Sequence, residues 1–374
     1  AEYAVQNCYK TMIAGKLHLG EEAKFWPDKQ GFQINVGAWS KGGPNGKIND
    51  STGGYFTPYK NPVLQDGPSG EYLTDRLTNE SIEFIKSNKQ NPFFLFYSMY
   101  AVHNPLQAPK ALIDKYIKKQ QQLNIQQKDV FTKDEAWMQF EKDWKRRTIQ
   151  SNATYAAMIE NMDWNIGRII ETLRLQGMDE NTLIMFTSDN GGLSTAEGSP
   201  TVNGNLRAGK GWLYEGGIRV PLIMYWKKAI TSGITSDVTT TTADFYPTIA
   251  KAINKHYVKN KDIDGDDIFT LLKQPRSQNR TLFWHYPHYS NQGGKPSAAI
   301  RKGNYKLIYF YETKEVELFN LSVDSSEKNN IALQYKKDAI ALKQTLFNWL
   351  EKNNSKTPIK NPMYYADSIK SVSK

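Results

Sequence analysis

The chain has 374 residues, of which 39% are hydrophobic and 23% charged, the composition of an ordinary soluble globular protein long enough for two domains. Its formal charge of +10 favours anionic partners such as nucleic acid, anionic lipid or sulfated and phosphorylated glycans, but much of the excess lies in dispersed lysines (Lys115, Lys118, Lys119, Lys370, Lys374) and no zinc-finger or RNA-binding motif is visible, so a solvated basic surface is favoured over a nucleic-acid groove. No apolar run has the length of a membrane span, and a single cysteine, Cys8, excludes an intrachain disulfide.

The opening AEYAVQNCYK shows no signal-peptide pattern and reads as the middle of a protein entering a strand. Residues 9–14 (YKTMIA) read as a short strand, with Cys8 a small apolar residue packing near it. The strand runs into a loop in which Gly15 and Gly20 bracket Lys16 and His18. Residues 25–70, rich in Gly, Pro, Asn and aromatics, read as a long irregular loop of the kind that lines sites. Residues 73–86 have a helical pattern. Residues 93–99 (FFLFYSM) are a buried strand, followed by His103. Residues 110–150, rich in Lys and Gln, read as helical and exposed. Residues 155–173 form a strong amphipathic helix, with Met158, Ile159, Met162, Ile166, Ile169, Ile170 and Leu173 at helical spacing.

That helix leads to TLIMFTSDNGG, residues 182–192. The apolar run reads as a strand that delivers Asp189 and Asn190 to its C-terminal lip, where ligands bind in open α/β sheets. Adjacent hard oxygen atoms suit Ca²⁺ or Mg²⁺; an Asx turn without metal explains the same residues. Residues 203–219 are a glycine-punctuated loop carrying Arg207 and Lys210. Residues 220–226 read as a strand, 242–253 as a helix with Asp244 near its start, and 262–272 as a polar turn into a short helix. Beyond Arg276, short strands at 281–286, 298–301, 306–311 and 316–321 precede a helix at about 335–352, the pattern of a small α+β domain with an antiparallel sheet. The expected domains are therefore 1–278 and 279–374. Lys16/His18, His103, Asp189/Asn190 and Lys210 are each weak signals. Gathered at one lip, they would hold a tetrahedral oxyanion: metal and lysines on its oxygens, a histidine protonating the leaving oxygen.

YKTMIAGKLHLG, PFFLFYSMYAVHNPLQAP, YAAMIENMDWNIGRIIETL with NTLIMFTSDNGG, and LRAGKGWLYEGGIRVPLIMYW together resemble blocks of the sulfatase family in the alkaline-phosphatase superfamily; DIDGDDIFTLL and AAIRKGNYKLIYF also fit. The resemblance covers nearly the whole chain. It implies an alkaline-phosphatase-like α/β fold, with a central mostly parallel sheet flanked by helices and a small C-terminal α+β domain. It implies that Asp189 and Asn190 ligate Ca²⁺, that Lys16 and His18 contact the nucleophile, that His103 sits against the sulfate and ester oxygen with general-acid duty, and that Lys210 binds the sulfate. It implies a periplasmic or secreted location.

The family's paired-aspartate strand and its C-x-P-S-R or S-x-P/A-S-R block, whose Cys or Ser becomes formylglycine, do not occur in these residues. The expectation is that this N-terminal segment completes the site, that the 374 residues alone bind Ca²⁺ weakly, and that they do not turn over sulfate esters. The aromatic and amide residues from Trp284 to Lys295, His285 and His288 among them, read either as a sugar-binding surface or as a packing joint between the two domains. The function expected is a Ca²⁺-dependent sulfuric-ester hydrolase on sulfated carbohydrate. A non-catalytic sulfoglycan-binding relative and a phosphoester hydrolase of the same superfamily are the alternatives.

Overall fold

The computed structural model describes residues 1–45, 53–126, 130–133, 135, 138, 144–273 and 280–362. The chain divides into two compact units: Ala1–Val130 with Gln150–Thr187 and Leu222–Pro275, and Phe131–Ile149 with Ser188–Pro221 and Arg276–Lys374. The boundary expected near residue 278 falls within 274–279, outside the described residues.

The first unit is built on a parallel sheet in the order β2–β1–β3, with β1 at Lys10–Gly15, β2 at Ile34–Val36 and β3 at Phe93–Ser98. Every residue of β1 after Lys10 is buried, as a central parallel strand requires. A short helix α1 (Glu2–Gln6) precedes it, where the sequence shows no start signal. Helix α2 (Leu73–Ser87) buries Leu73, Leu77, Ile82 and Ile85 along one stripe. Helix α3 (Lys110–Gln122) has no fully buried residue. Helix α4 (Ala153–Leu175) is N-capped by Asn152, whose side chain accepts from the Tyr155 N–H at 2.9 Å. Strands β6 (Ile184–Thr187) and β7 (Leu222–Tyr225) form an antiparallel pair. Helices α6 (Phe245–Ile253) and α7 (Ile268–Lys273) complete the unit. Asp244 closes a capping box with Thr241 ahead of α6 and also accepts from the Asp266 N–H at 2.8 Å.

Two expectations need correction. Residues 25–70 are mainly irregular among those described, but Ile34–Val36 pairs with β1; three residues are too few to show a period. Residues 110–150 are not one exposed helix. The helix stops at Gln122, and β4 (Phe131–Thr132) pairs with β5 (Arg146–Arg147) in the second unit. The Lys145 ammonium and Arg147 guanidinium sit 4.1 and 4.6 Å from the Phe131 ring centre, so cations of the basic run cover an aromatic instead of facing water.

The second unit holds an antiparallel sheet in the order β11–β10–β9–β8, with β8 at Thr281–Tyr286, β9 at Ser297–Lys302, β10 at Tyr305–Phe310 and β11 at Val316–Asn320. Its two faces alternate as the pleat demands. Ala298, Ile300, Leu307 and Leu318 pack against helix α8 (Lys336–Lys352). Ala299, Ile308, Phe310 and Phe319 pack against Trp212 and Tyr214 of the glycine loop, which includes the short helix α5 (Glu215–Ile218). Among the described residues no helix is long and apolar enough to cross a membrane.

α2 and α4 share a polar contact inside the first unit. Asp75 Oδ1 accepts from Asn161 Nδ2 at 2.9 Å and from the wholly buried Asn165 Nδ2 at 2.7 Å. Asp75→Ala removes the shared acceptor and should cost about 1–3 kcal/mol. Asp75→Asn keeps an oxygen there and should cost less; urea unfolding of the two variants checks the order.

Candidate active site

The register of the parallel sheet pairs Gly15 with Ser98, so β1 and β3 end at the same lip. The approach is close. A Cβ on Gly15 would lie 1.8 Å from the Ser98 carbonyl oxygen, and Gly15 has φ +115°, so only glycine fits. The Lys16 N–H donates to that same carbonyl at 2.6 Å. Lys16, half-buried, and His18, exposed, follow β1; His103, half-buried, follows β3. Gly42 and Gly43 each lie against one of the two histidines. A Cβ on Gly42 would stand 2.6 Å from His18 Nδ1, and one on Gly43 2.8 Å from His103 Nδ1.

His103 Nδ1 is 2.9 Å from the Asn104 carbonyl oxygen. A carbonyl only accepts, so Nδ1 carries the proton in this contact. The backbone here is pinned by Tyr55, wholly buried, whose hydroxyl is shared between the carbonyls of Tyr100 (2.7 Å) and His103 (3.0 Å). Burial pushes the Tyr55 hydroxyl well up, so it stays a donor.

The second unit carries Asp189, Asn190 and Lys210. Past the end of β6, Ser188 Oγ donates to the Asn190 carbonyl at 2.9 Å, and Asn190 Nδ2 donates to the Gly191 carbonyl at 2.9 Å. The amide nitrogen thus turns to the backbone and leaves Oδ1 as the side chain's acceptor. Asp189 is exposed and Asn190 half-buried. The Lys210 N–H donates to the Gly192 carbonyl at 3.2 Å, which ties the lysine loop to the Asp189–Asn190 turn.

The structure separates His285 from His288. Trp284 and Tyr286 pack on the sheet face that meets Trp212 and Tyr214, whereas His285 lies on the opposite face with Phe283, its ring edge-on to Tyr311 at 5.9 Å. His288 is exposed, with its ring centre 4.1 Å from that of Tyr286. Gln292 is buried: its Nε2 donates to Glu197 and its Oε1 accepts from Ser290 Oγ at 2.6 Å. Its carbonyl takes Trp212 Nε1 at 2.9 Å and Thr195 Oγ1 at 3.0 Å. Gln292, through its side chain and its backbone carbonyl, therefore joins these loops, which is the packing half of the reading given to residues 284–295.

The family model described as "Sulfatase" matches residues 1–255, and that described as "N-sulphoglucosamine sulphohydrolase, C-terminal" matches residues 208–356. The chain belongs to the sulfatase family. It is 31% identical over 325 residues to a "Sulfatase" of Formosa agariphila, covering 80% of this chain and 54% of that protein. This sulfatase-family chain thus spans about half the length of that curated relative. Among solved structures, Ps i-CgsB in complex with k-i-k-neocarrahexaose is similar with a TM-score of 0.73 and 25% identity, over 99% of this chain and 76% of the other. A protein solved in complex with its substrate, D-glucosamine-2-N,6-O-disulfate, has a TM-score of 0.70 at 21% identity, over 96% of this chain and 82% of that one, a likeness of fold. The α/β architecture with a parallel sheet and a C-terminal antiparallel sheet is that of these relatives.

Asp189 and Asn190 fit Ca²⁺ in kind, since both present hard oxygens, and Asn190 Nδ2 is already engaged elsewhere. They fall short in number. Ca²⁺ takes roughly six to eight oxygens, and among the described residues no group of three or more His, Cys, Asp or Glu side chains could hold a metal. Cys8 does not fit a formylglycine precursor. It is exposed at φ +64° between α1 and β1, which also corrects the expectation that it packs as a small apolar residue. Sequence reasoning missed the Gly42–Gly43 pair and the Tyr55 anchor; the only signal for the first was two adjacent glycines in a long loop.

Burial, and secondarily the charge of His288, holds His285 below the usual histidine range. Of five histidines, His285 should titrate low by NMR, and His288→Ala should relieve the smaller part of the shift. The sign follows from linkage. A folded value below the unfolded one gives stability that is full above about pH 6.5 and is lost as pH falls through the folded value. Gly43→Ala should move the His103 signal and leave that of His285 in place.

Proposed function

We propose that this chain serves a Ca²⁺-dependent sulfuric-ester hydrolase that acts on sulfated carbohydrate. The observation that carries the reading is the common lip of β1 and β3, after which Lys16, His18 and His103 follow within the segment that the sulfatase family matches. Asp189, Asn190 and Lys210 lie in the same matched segment.

Hydrolysis of a sulfate ester breaks the bond between sulfur and the alcohol oxygen, and that oxygen needs a proton as it leaves. His103 suits the task. With Nδ1–H held by Asn104, a protonated His103 gives its Nε2 proton to the alcohol oxygen and is left neutral. Lys16 and Lys210 offset the charge on the sulfate oxygens, and His18 orients the attacking group. Asp189 and Asn190 would supply two oxygens to Ca²⁺, which when bound polarises the sulfate. The formylglycine nucleophile that the family resemblance implies has no position among these 374 residues. A carbohydrate substrate is supported by the sugar ligands of the similar structures, and by exposed His288 against the Tyr286 ring. A periplasmic or secreted location goes with that substrate.

The test is a parallel assay of aryl sulfate, aryl phosphate and sulfated oligosaccharide with protein expressed from the native gene. Lys210→Ala should lower kcat/KM for sulfate by about 10²–10³-fold. His103→Gln should cost about 10²–10⁴-fold on a sugar sulfate, whose alkoxide leaves poorly, and less on an aryl sulfate. A chelator should abolish turnover and Ca²⁺ restore it, while the 374 residues alone should show none. Binding of sulfated sugar without any hydrolysis would select the binding-protein reading, and phosphate turned over faster than sulfate the phosphoesterase reading.

A further inference from the structure

Lys306 sits on β10 with no exposed side-chain surface, 3.0 Å from Glu215 Oε1 and 2.8 Å from Glu327 Oε1. The two carboxylates are 2% and 0% exposed. Glu327 Oε2 also accepts the Glu215 N–H at 2.6 Å, at the start of α5. Glu327 itself has φ +52°, a left-handed conformation that an L side chain adopts only when its surroundings hold it. Its carbonyl accepts from Arg207 Nη1 at 3.1 Å, and the same guanidinium pairs with Glu135 at 2.7 and 2.9 Å. The lysine loop is thus held at Arg207 and at Glu215, on either side of Lys210.

α5 passes this on to the Asp189–Asn190 turn. The Gly216 N–H donates to the Arg207 carbonyl at 2.9 Å, and the Gly217 carbonyl accepts the Gly191 N–H at 2.9 Å. The packing leaves no slack, since a Cβ on Gly191 would lie 1.7 Å from the Gly216 carbonyl oxygen. We propose that Lys306, acting through Glu215 and Glu327, is the positioning residue that fixes the Asp189–Asn190 turn and the Lys210 loop relative to one another. The value of that alignment rests on the sulfate-ester reading; the alignment itself does not.

A buried ammonium between two carboxylates has a specific failure mode. Without Lys306 the carboxylates of Glu215 and Glu327 face each other, and the nearest other cations are Arg219 and Arg301, at 3.8 and 4.0 Å from Glu215 Oε2. Like charges so placed share a proton at low pH and repel when both ionise. In Lys306→Met the α5 turn should therefore loosen as pH rises. Adding Glu327→Gln removes the repulsion while its amide oxygen still accepts the Glu215 N–H.

Hydrogen exchange of the 374-residue chain reads this directly. Lys306→Met should speed exchange, corrected for intrinsic rates, about tenfold in peptides covering 188–192 and 207–217, and more at pH 8 than at pH 6. Strands β9 and β11 should keep their protection, and Lys306→Met with Glu327→Gln should return the turn and loop to within about twofold of the parent. If Lys306→Met does not fold, Lys306→Arg keeps the charge in a cavity shaped for a narrower group, and the same peptides should loosen without pH dependence. Uniform loosening of the sheet, no loosening, or no rescue by Glu327→Gln would each overturn the proposal. If exchange behaves as stated but sulfated sugar neither binds nor turns over in the native-gene protein, the functional reading fails and the positioning role stands.

Discussion

A carbonyl oxygen occupies the place where a residue other than glycine at position 15 would carry its Cβ. Because Ser98 and Gly15 meet this closely, β1 and β3 must end level with one another, and the cation and histidines that follow leave from a single lip. Nothing in the side chains of Lys16 or His103 would bring this about. The register is set by the pairing of buried β1 with half-buried β3, where Phe96 is exposed and the strand expected at 93–99 is thus not wholly buried, and the missing Cβ lets the backbones close. The Gly42–Gly43 pair extends the same device one layer outward, where imidazole rings replace the carbonyl.

The second unit solves the same problem with the same means. Gly191 against the Gly216 carbonyl, and Gly217 with a hypothetical Cβ 2.1 Å from the Trp212 carbonyl, bring three backbone segments to distances that side chains would forbid. At these glycines there are no side-chain contacts to hold the loop, although Trp212 and Tyr214 pack on the sheet. The ionic network around Lys306 and Arg207 adds fixed points at Glu215 and Arg207, on either side of Lys210. The loop is held from both sides, by the burial of Ala208, Trp212, Leu213 and Tyr214 against the sheet and by ion pairs at Arg207 and Glu215.

Much of this was legible in the sequence. The strands β1, β3, β6 and β8–β11 show as apolar or alternating runs bounded by Gly, Pro and Asn, and the 3.6-residue period of α4 is long enough to be unambiguous. The polar residues at strand ends were found because strands end abruptly where apolar runs stop. What stayed hidden was set by tertiary contact. β2 is three residues of an irregular segment whose strand character comes wholly from pairing with β1. The 131–147 segment looks like solvated basic chain, because the ring that its cations cover lies 14 and 16 residues before Lys145 and Arg147, at Phe131. His285 and His288 look equivalent in a string of aromatics, yet the two-residue period of β8 turns the first to the α8 side, while the second lies past the strand's end.

Charge illustrates the same limit and also a way past it. The +10 balance says little about the site, because lysines such as Lys115 with Glu160 and Lys227 with Glu180 are exposed partners in surface pairs, which water screens. Lys306 is chemically identical and physically unlike them. In YKLIYF, alternation puts Lys306 on the face of Ile308 and Phe310, which pack against the glycine loop. A charge on the face that the period assigns to the core cannot be solvated, so the fold must bring it partners. The partners come from α5 and from residue 327, a loop position held in a strained backbone conformation. A lysine out of step with its strand is thus a sequence-level mark of a fixed joint, and it points to the glycine loop that the joint supports.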